Sequence, residues 1–150
     1  MKGTKIILNS DEEALIEIVE YVSKKSRKQL RSSYRGVEVA VPRSILGYML
    51  REEGITIKRV GEIINRHHAS ILKYSKDHEH NMSFYQDYKA MYLAIQDEYV
   101  SGYRGAKVDK IQEQIDELQT SIAKIKRNML KANGESEKFR KKQNINQNNK

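Results

Sequence analysis

The spacing of apolar residues changes at Asn65, and this change constrains the fold more than any other feature of the sequence. Before it, three apolar residues at i, i+3 and i+4 form the inward stripe of a short helix beginning near Thr56: Val60, Ile63 and Ile64. After it, Ile71 and Leu72 resume the apolar pattern on a new helix. The sequence therefore predicts two helices joined by a tight turn.

Side chains that can hydrogen-bond to phosphates or base edges fill the gap between the two apolar sets: Arg66, His67, His68 and Ser70. In a helix-turn-helix such groups occupy the start of the second helix, which enters the major groove of DNA. The pattern predicts this arrangement, with the second helix running from Arg66 to about Glu79. On a helical wheel His68 either packs against the domain or contacts a base. Ala69 either permits close packing or meets a thymine methyl group.

The composition indicates a polyanionic partner, either nucleic acid or an anionic membrane, because the net charge is +8 and the pI is near 9.5. No stretch approaches the ~20 apolar residues of a transmembrane helix. The chain has no cysteine, and adjacent His67 and His68 diverge on a helix, so no metal site is predicted. We expect a cytoplasmic, nucleoid-associated protein with no cofactor and no membrane partner.

Apolar periodicity and capping patterns divide the chain into five parts. We predict an N-terminal arm over 1–9, a helical domain over 10–80 and a connecting helix over 83–103. A coiled coil follows over 106–132. The Lys/Gln/Asn-rich tail over 133–150 has no apolar period and is predicted to be disordered.

Within the helical domain, capping-box patterns at Ser10 and Ser26 predict the starts of two helices. Pro42 suits the first turn of the next helix, and Gly54 suits its left-handed end. Residues 32–41 lack a helical period and are interpreted as an exposed basic loop. The second half of this loop alternates as a strand would, but it has no partner strand.

A heptad seam dominates the C-terminal third of the sequence, because apolar residues recur there at spacings that alternate between three and four residues without interruption. Its members are Val108, Ile111, Ile115, Leu118, Ile122, Ile125 and Met129. The seam predicts a homodimer formed through a coiled coil, in either a parallel or an antiparallel orientation. The alternative is an amphipathic helix that docks back on the domain.

The span from Leu15 to about Asp77 resembles the C-terminal DNA-binding domain of the bacterial replication initiator DnaA, without its ATPase module. The matching segments occur in the same order along the chain: Glu20-Tyr21, the loop around Arg35, Ala40–Arg43, Met49–Glu52, Thr56, Val60–Glu62 and Arg66–Leu72. The resemblance implies an all-α fold of the Trp-repressor type. It also implies that Arg35 enters the minor groove and that Arg66–Ser70 reads the major groove.

In the family, the segment that corresponds to Arg66–Leu72 reads Arg-Asp-His, then Ser or Thr, Thr, and two aliphatic residues. Two departures from this signature predict that the recognised DNA sequence differs. His67 replaces the aspartate of the family, and Ala69 replaces the first of two small hydroxyl residues. An aspartate accepts from cytosine N4, whereas an imidazole donates to guanine or phosphate. Four further cations fit phosphate contacts: Arg43, Arg51, Lys58 and Lys73.

The predicted function is sequence-specific binding of double-stranded DNA, in the regulation of replication or transcription. A small protein that has the DNA-binding domain of an initiator but lacks its ATPase module is typical of a phage or mobile element. No paired carboxylates accompany His67 or His68, and no phosphate-binding loop is present, so neither an enzyme nor a nucleotide ligand is predicted. The alternative is a coiled-coil scaffold protein whose basic domain binds nucleic acid only non-specifically.

Overall fold

A computed structural model of the chain describes residues 5–148, and every regular element in that range is helical. The all-α prediction is therefore confirmed. The α-helices are α1 Ser10–Ser23, α2 Arg27–Leu30, α3 Val37–Glu52, α4 Ile57–Ile64, α5 His68–Phe84, α6 Gln86–Asp97 and α7 Gly105–Asn148. A π-helical segment, Glu98–Arg104, follows α6. Residues 1–4 of the predicted arm and 149–150 of the predicted tail lie outside the described residues.

The chain divides into two compact units, residues 1–105 and 106–150. The hydrophobic core of the first unit is formed by α1 to α6 and the π-helical segment. Its fully buried aliphatic side chains are Leu15, Val19, Leu30, Ile45, Leu50, Val60, Ile64, Ile71 and Ile95. The apolar stripe of α4 lies in this core, so the residues spaced i, i+3 and i+4 from Val60 form the buried face of the helix, as predicted.

Helix ends in the first unit follow local side-chain chemistry. The capping box predicted at Ser26 and Gln29 is present, and Gly54 has the left-handed conformation expected of it, with φ 82°. The box predicted at Ser10 is wrong by one residue. Asn9 caps α1 instead, accepting from the Glu12 backbone at 2.8 Å while the Glu12 carboxylate accepts from the Asn9 backbone. Serine and asparagine can both cap a helix in this way, because their side-chain oxygens accept from the backbone amides that the first helical turn leaves without a partner.

The start of α3 differs from the prediction, because the helix begins at Val37 and Pro42 lies inside it. The basic loop predicted over residues 32–41 is therefore wrong for its second half, because residues 37–41 are helical. Val39, Pro42 and Leu46 are all buried on one face of the helix, at positions i, i+3 and i+7. Proline removes one backbone hydrogen bond, and burial of that face offsets the loss.

The core face of α5 is not the one that the sequence predicted. Ile71 and His78 are buried and Tyr74 is half-buried, whereas Leu72 is 50% exposed. The His78 ring stacks on Tyr48 with 3.6 Å between ring centroids, and its Nδ1 lies 2.7 Å from the hydroxyl of Tyr88. Burial lowers the pKa of His78 and so favours the neutral ring.

The boundary between α5 and α6 also lies later than predicted. Helix α5 continues past Glu79 to Phe84, and the single residue between α5 and α6, Tyr85, has an extended backbone, with φ −118° and ψ 103°. Helix α6 therefore starts at Gln86 rather than near Ser83. Residues 98–103, predicted as the end of the connecting helix, lie in the π-helical segment Glu98–Arg104.

The second unit consists of α7, which is helical through Asn133-Gly134 to Asn148. The predicted disordered tail is therefore wrong as far as Asn148. A glycine inside a helix costs only about 1 kcal/mol, and the following Glu, Lys, Arg and Gln residues favour helix. The seam residues are 40–63% exposed. None of the helices within residues 5–148 combines the length and apolarity needed to cross a membrane.

Candidate nucleic-acid interface

Three residues, Asn65, Arg66 and His67, connect α4 to α5. Asn65 ends α4 in the left-handed conformation, with φ 59°, and the Arg66 amide donates to the Gly61 carbonyl at 2.9 Å. A Cβ atom on Gly61 would lie 2.7 Å from the Arg66 carbonyl oxygen. The tight turn therefore needs a glycine at position 61 because two backbone segments pass too close for a side chain.

His67 is the N-cap of α5, so the helix starts at His68 and not at Arg66 as predicted. The Nδ1 atom of His67 accepts a hydrogen bond from the Ala69 amide at 3.3 Å. In a neutral imidazole, an accepting Nδ1 leaves the proton on Nε2. The outer ring nitrogen of His67 is therefore a hydrogen-bond donor.

The N-terminal end of α5 is open to solvent. His67, His68 and Ala69 are all exposed, and the two histidine rings lie 3.9 Å apart between centroids. The interpretation of His68 and Ala69 as packing residues is therefore wrong. The same exposed face continues along α5 through Leu72, Lys73 and Lys76.

Arg43 is buried beneath the segment between α2 and α3 and hydrogen-bonds to its backbone. Its side chain is only 3% exposed, and its guanidinium group donates to the carbonyls of Leu30 at 2.7 Å and Tyr34 at 2.9 Å. It also donates to those of Ser32 at 3.0 Å and Gln29 at 3.3 Å. Burial lowers the pKa of Arg43, and the positive charge of Arg66 adds to this effect. The phosphate contact predicted for Arg43 is wrong, because its donors point inward.

The α4–α5 turn is tied to residues 31–36, here named the Arg35 loop. Arg66 donates to the Ser32 carbonyl at 2.5 Å and to the Asn65 carbonyl at 3.1 Å. Asn65 donates through its side-chain amide to the Arg31 carbonyl at 3.2 Å. Arg66 is half-buried by these contacts, so it fixes the loop against the turn.

A shallow groove of about 500 Å³ lies between the Arg35 loop and the start of α5. Its lining includes five of the predicted site residues: Arg35, Arg43, Arg66, His67 and Ser70. Arg35 itself is exposed. The structure therefore brings together, on one surface, a loop and a helix start that are about 30 residues apart in the sequence.

A second groove lies on the other side of the turn and adds Lys58 to this surface. It has a volume of about 730 Å³ and is lined by Lys58, His67 and His68, among others. Lys73 is exposed but forms an ion pair with Asp77 at 3.2 Å. Arg51 lines neither groove and donates to the Ile55 carbonyl at 2.7 Å.

Sequence reasoning missed Leu72 and Lys76, which share the exposed face of α5. Leu72 was assigned to the core because it follows Ile71. A helical wheel centred on Ile71, Tyr74 and His78, at i, i+3 and i+7, would have placed it outside. Among residues 5–148, no three His, Asp or Glu side chains lie close enough together to hold a metal ion.

Comparison with known protein-family models, with curated proteins and with solved structures found no match to this chain. The resemblance to the initiator domain thus depends on the sequence motif alone. Any functional proposal has to be argued from the geometry and charge of the surface around the α4–α5 turn.

Proposed function

We propose that this protein binds double-stranded DNA in a sequence-specific manner through a helix-turn-helix formed by α4, the turn and α5. The N-terminal end of α5 would enter the major groove and Arg35 the adjacent minor groove. The observation that carries the proposal is the single surface formed by the Arg35 loop and the exposed start of α5. A domain that reads two adjacent grooves needs its two probes held at a fixed distance.

The hydrogen bonds of Arg66 and Asn65 supply that fixed distance. They join the turn to the Arg35 loop through the carbonyls of Ser32 and Arg31. Arg43 fixes the same loop from the interior. We therefore assign Arg66 a positioning role, and assign direct readout to His67, His68 and Ala69, which are exposed.

The chemistry of these groups suits base edges in the major groove, which is about 12 Å wide and admits a helix. The Nε2–H of His67 can donate to guanine N7 or O6. Ala69 and the exposed Leu72 suit contact with thymine methyl groups. Lys58 and Lys73 suit phosphates, and the net charge of +8 supports a salt-sensitive affinity.

We further propose that two copies pair through the seam on α7, in a regulator of replication or transcription of phage or mobile-element type. The seven seam residues are all at least 40% exposed, which also supports the second candidate function, a coiled-coil scaffold. Selection from random-sequence duplexes distinguishes the two. If the protein is a sequence-specific regulator, the selected duplexes should share a defined motif. If repeated rounds of selection enrich no motif, the scaffold function is supported instead.

His67→Asp is expected to change the preferred base at one position of the selected motif. Aspartate is also a good N-cap residue, so the start of α5 is retained while a donor becomes an acceptor suited to cytosine N4. The measurement is parallel selection and sequencing with both proteins. His80→Asp, which makes the same change at an exposed position farther along α5, is the control. Identical motifs from wild type and His67→Asp would remove His67 from base readout.

Arg35→Ala is expected to weaken binding about tenfold, roughly the effect of losing one hydrogen bond to a charged group. It should also relax the preference for a narrow, A·T-rich minor groove beside the core motif. Binding titrations on duplexes with A·T-rich and G·C-rich flanks measure both effects. Arg31→Ala removes the same charge from a side chain that does not line the groove. If the flank preference survives Arg35→Ala, the loop does not enter the minor groove.

A further inference from the structure

The charges on α7 are distributed unevenly along the seam. Residues 109–117 carry four acidic side chains and one lysine, a net charge of −3. Residues 124–131 carry four basic side chains and no acid, a net charge of +4. The two segments, here named the acidic block and the basic block, lie in one continuous helix. Each occupies one half of the exposed seam.

This distribution distinguishes the two ways in which a pair of α7 helices can align. In a parallel, in-register pair, each block faces its own copy, and like charges repel. In an antiparallel pair, the acidic block of each helix faces the basic block of the other. Apart from Lys126, the charged side chains of the two blocks lie at positions that do not flank the seam. Both effects therefore act across the width of the pair and are strongest at low salt, where the Debye length is long.

Charged pairs at the positions that flank a heptad seam normally set the orientation of the two helices. Here five of the central flanking positions are uncharged: Gln112, Gln114, Gln119, Ser121 and Asn128. Lys126 is the exception. The seam therefore contains little that favours the parallel arrangement and offsets the repulsion between like blocks.

One antiparallel register buries every seam residue. The seam alternates between two heptad positions: the first is occupied by Val108, Ile115, Ile122 and Met129, and the second by Ile111, Leu118 and Ile125. In this register, each residue at the first position faces a residue at the second position of the other copy, except at the two ends. Ile111 faces Met129, Ile115 faces Ile125, and Leu118 faces Ile122. Val108 faces Ala132 at the two ends. In this register Asp109 and Asp116 lie at the same heights along the pair as Lys131 and Lys124 of the second copy.

We propose that α7 pairs with a second copy of this chain in the antiparallel orientation, with Ile111 opposite Met129. This inference rests on the self-association included in the proposed function and is independent of DNA binding. Its physical basis is the match between two opposite charge blocks and an exposed seam of constant spacing.

The absence of cysteine from the chain allows disulfide cross-linking to test the orientation. The single variants Ile111→Cys and Met129→Cys are prepared separately and as a mixture in a glutathione redox buffer. Both positions lie on the exposed face of α7, so the fold of the first unit is unaffected. In the proposed pair, two copies of residue 111 are about 27 Å apart, because a helix rises about 1.5 Å per residue. A disulfide needs Cα atoms within about 7 Å.

The expected result is a covalent dimer in the mixture and none in either variant alone, as seen on non-reducing gels. Cross-linking of each variant with itself would show the parallel alignment and overturn the proposal. The absence of any cross-link, with a monomeric mass in solution, would overturn pairing itself. Neither outcome bears on DNA selection, so failure of this inference and failure of the proposed DNA binding are distinguishable.

The salt dependence of dimerisation gives a second readout with the unmodified chain. Raising salt from about 0.1 M to about 1 M shortens the Debye length from about 10 Å to about 3 Å. An antiparallel pair loses attraction, so its dissociation constant should rise. A parallel pair would lose repulsion instead, and a fall in the dissociation constant measured by sedimentation would contradict the proposal.

Discussion

Arg43→Met is expected to lower the free energy of unfolding of the first unit by about 3–5 kcal/mol, the range for breaking a buried charged contact. Methionine fills much of the same space but donates no hydrogen bond. The carbonyls of Leu30 and Tyr34 would lose the donor that Arg43 supplies, and the bond to Leu30 is buried. The carbonyls of Ser32 and Gln29 would keep their other donors, from Arg66 and from Ser32. A buried acceptor left without a donor keeps its full desolvation cost.

Tyrosine fluorescence during urea unfolding measures this effect specifically, because all nine tyrosines lie in the first unit. Arg51→Met is the matched control. Arg51 is half-buried and donates to one carbonyl, that of Ile55, so a loss of about 1 kcal/mol is expected. Equal effects of the two substitutions would mean that Arg43 does not hold the loop.

Arg43→Lys separates charge from geometry at the same position. Lysine keeps the positive charge but cannot reach four carbonyls with the planar fork of a guanidinium group. We expect most of the destabilisation to remain. The Arg35 loop would then lose its inner support, and DNA affinity should fall even at temperatures where the variant is folded.

The helices around the α4–α5 turn could be predicted from the sequence because their signals are local. The α4 stripe at Val60, Ile63 and Ile64 is buried as its period implies, and Asn65 marks the turn by itself. The candidate DNA-contacting residues around this turn were also predicted from local signals, because they follow Asn65 directly in the sequence. The sequence predicts His67, which ends the turn, as a site residue, and this stays a prediction; its role as the N-cap of α5 was not predicted.

The role of Arg43 could not be predicted, because nothing adjacent to it in the sequence distinguishes it from a surface arginine. Its partners are carbonyls 9 to 14 residues earlier in the chain. They converge on it only after α2, the Arg35 loop and α3 have packed together. A sequence pattern lists side chains, and carbonyls that need a donor leave no trace in it.

The start of α3 was missed for a related reason. Proline is a strong local signal for the first turn of a helix, and the residues before Pro42 are β-branched and alternate. Burial of Val39 against the core outweighs both local preferences. Similarly, the low apolar content beyond Asn133 predicts disorder, although a helix needs no core where its residues have high intrinsic propensity.

Gly61→Ala is expected to lower the free energy of unfolding by about 1–3 kcal/mol, the usual cost of forcing an extra carbon into a packed site. The new Cβ would lie 2.7 Å from the Arg66 carbonyl oxygen, which is backbone and cannot rotate away. The turn cannot simply shift outward either, because Asn65 and Arg66 are bonded to the Arg35 loop. Strain at position 61 is therefore passed to both parts of the proposed DNA surface.

Gly134→Ala is the control for this substitution, because nothing lies within 4 Å of the added Cβ on α7. It should leave tyrosine-detected unfolding unchanged and stabilise α7 by about 0.5–1 kcal/mol through helix propensity. If the turn is the rigid link between two groove-reading elements, Gly61→Ala should weaken binding to the selected motif more than to random DNA. Backbone strain displaces His67 and Arg35 relative to each other without removing any charge. Equal losses on both DNAs would show that the turn supports the fold alone, since non-specific binding depends on charge and not on registration.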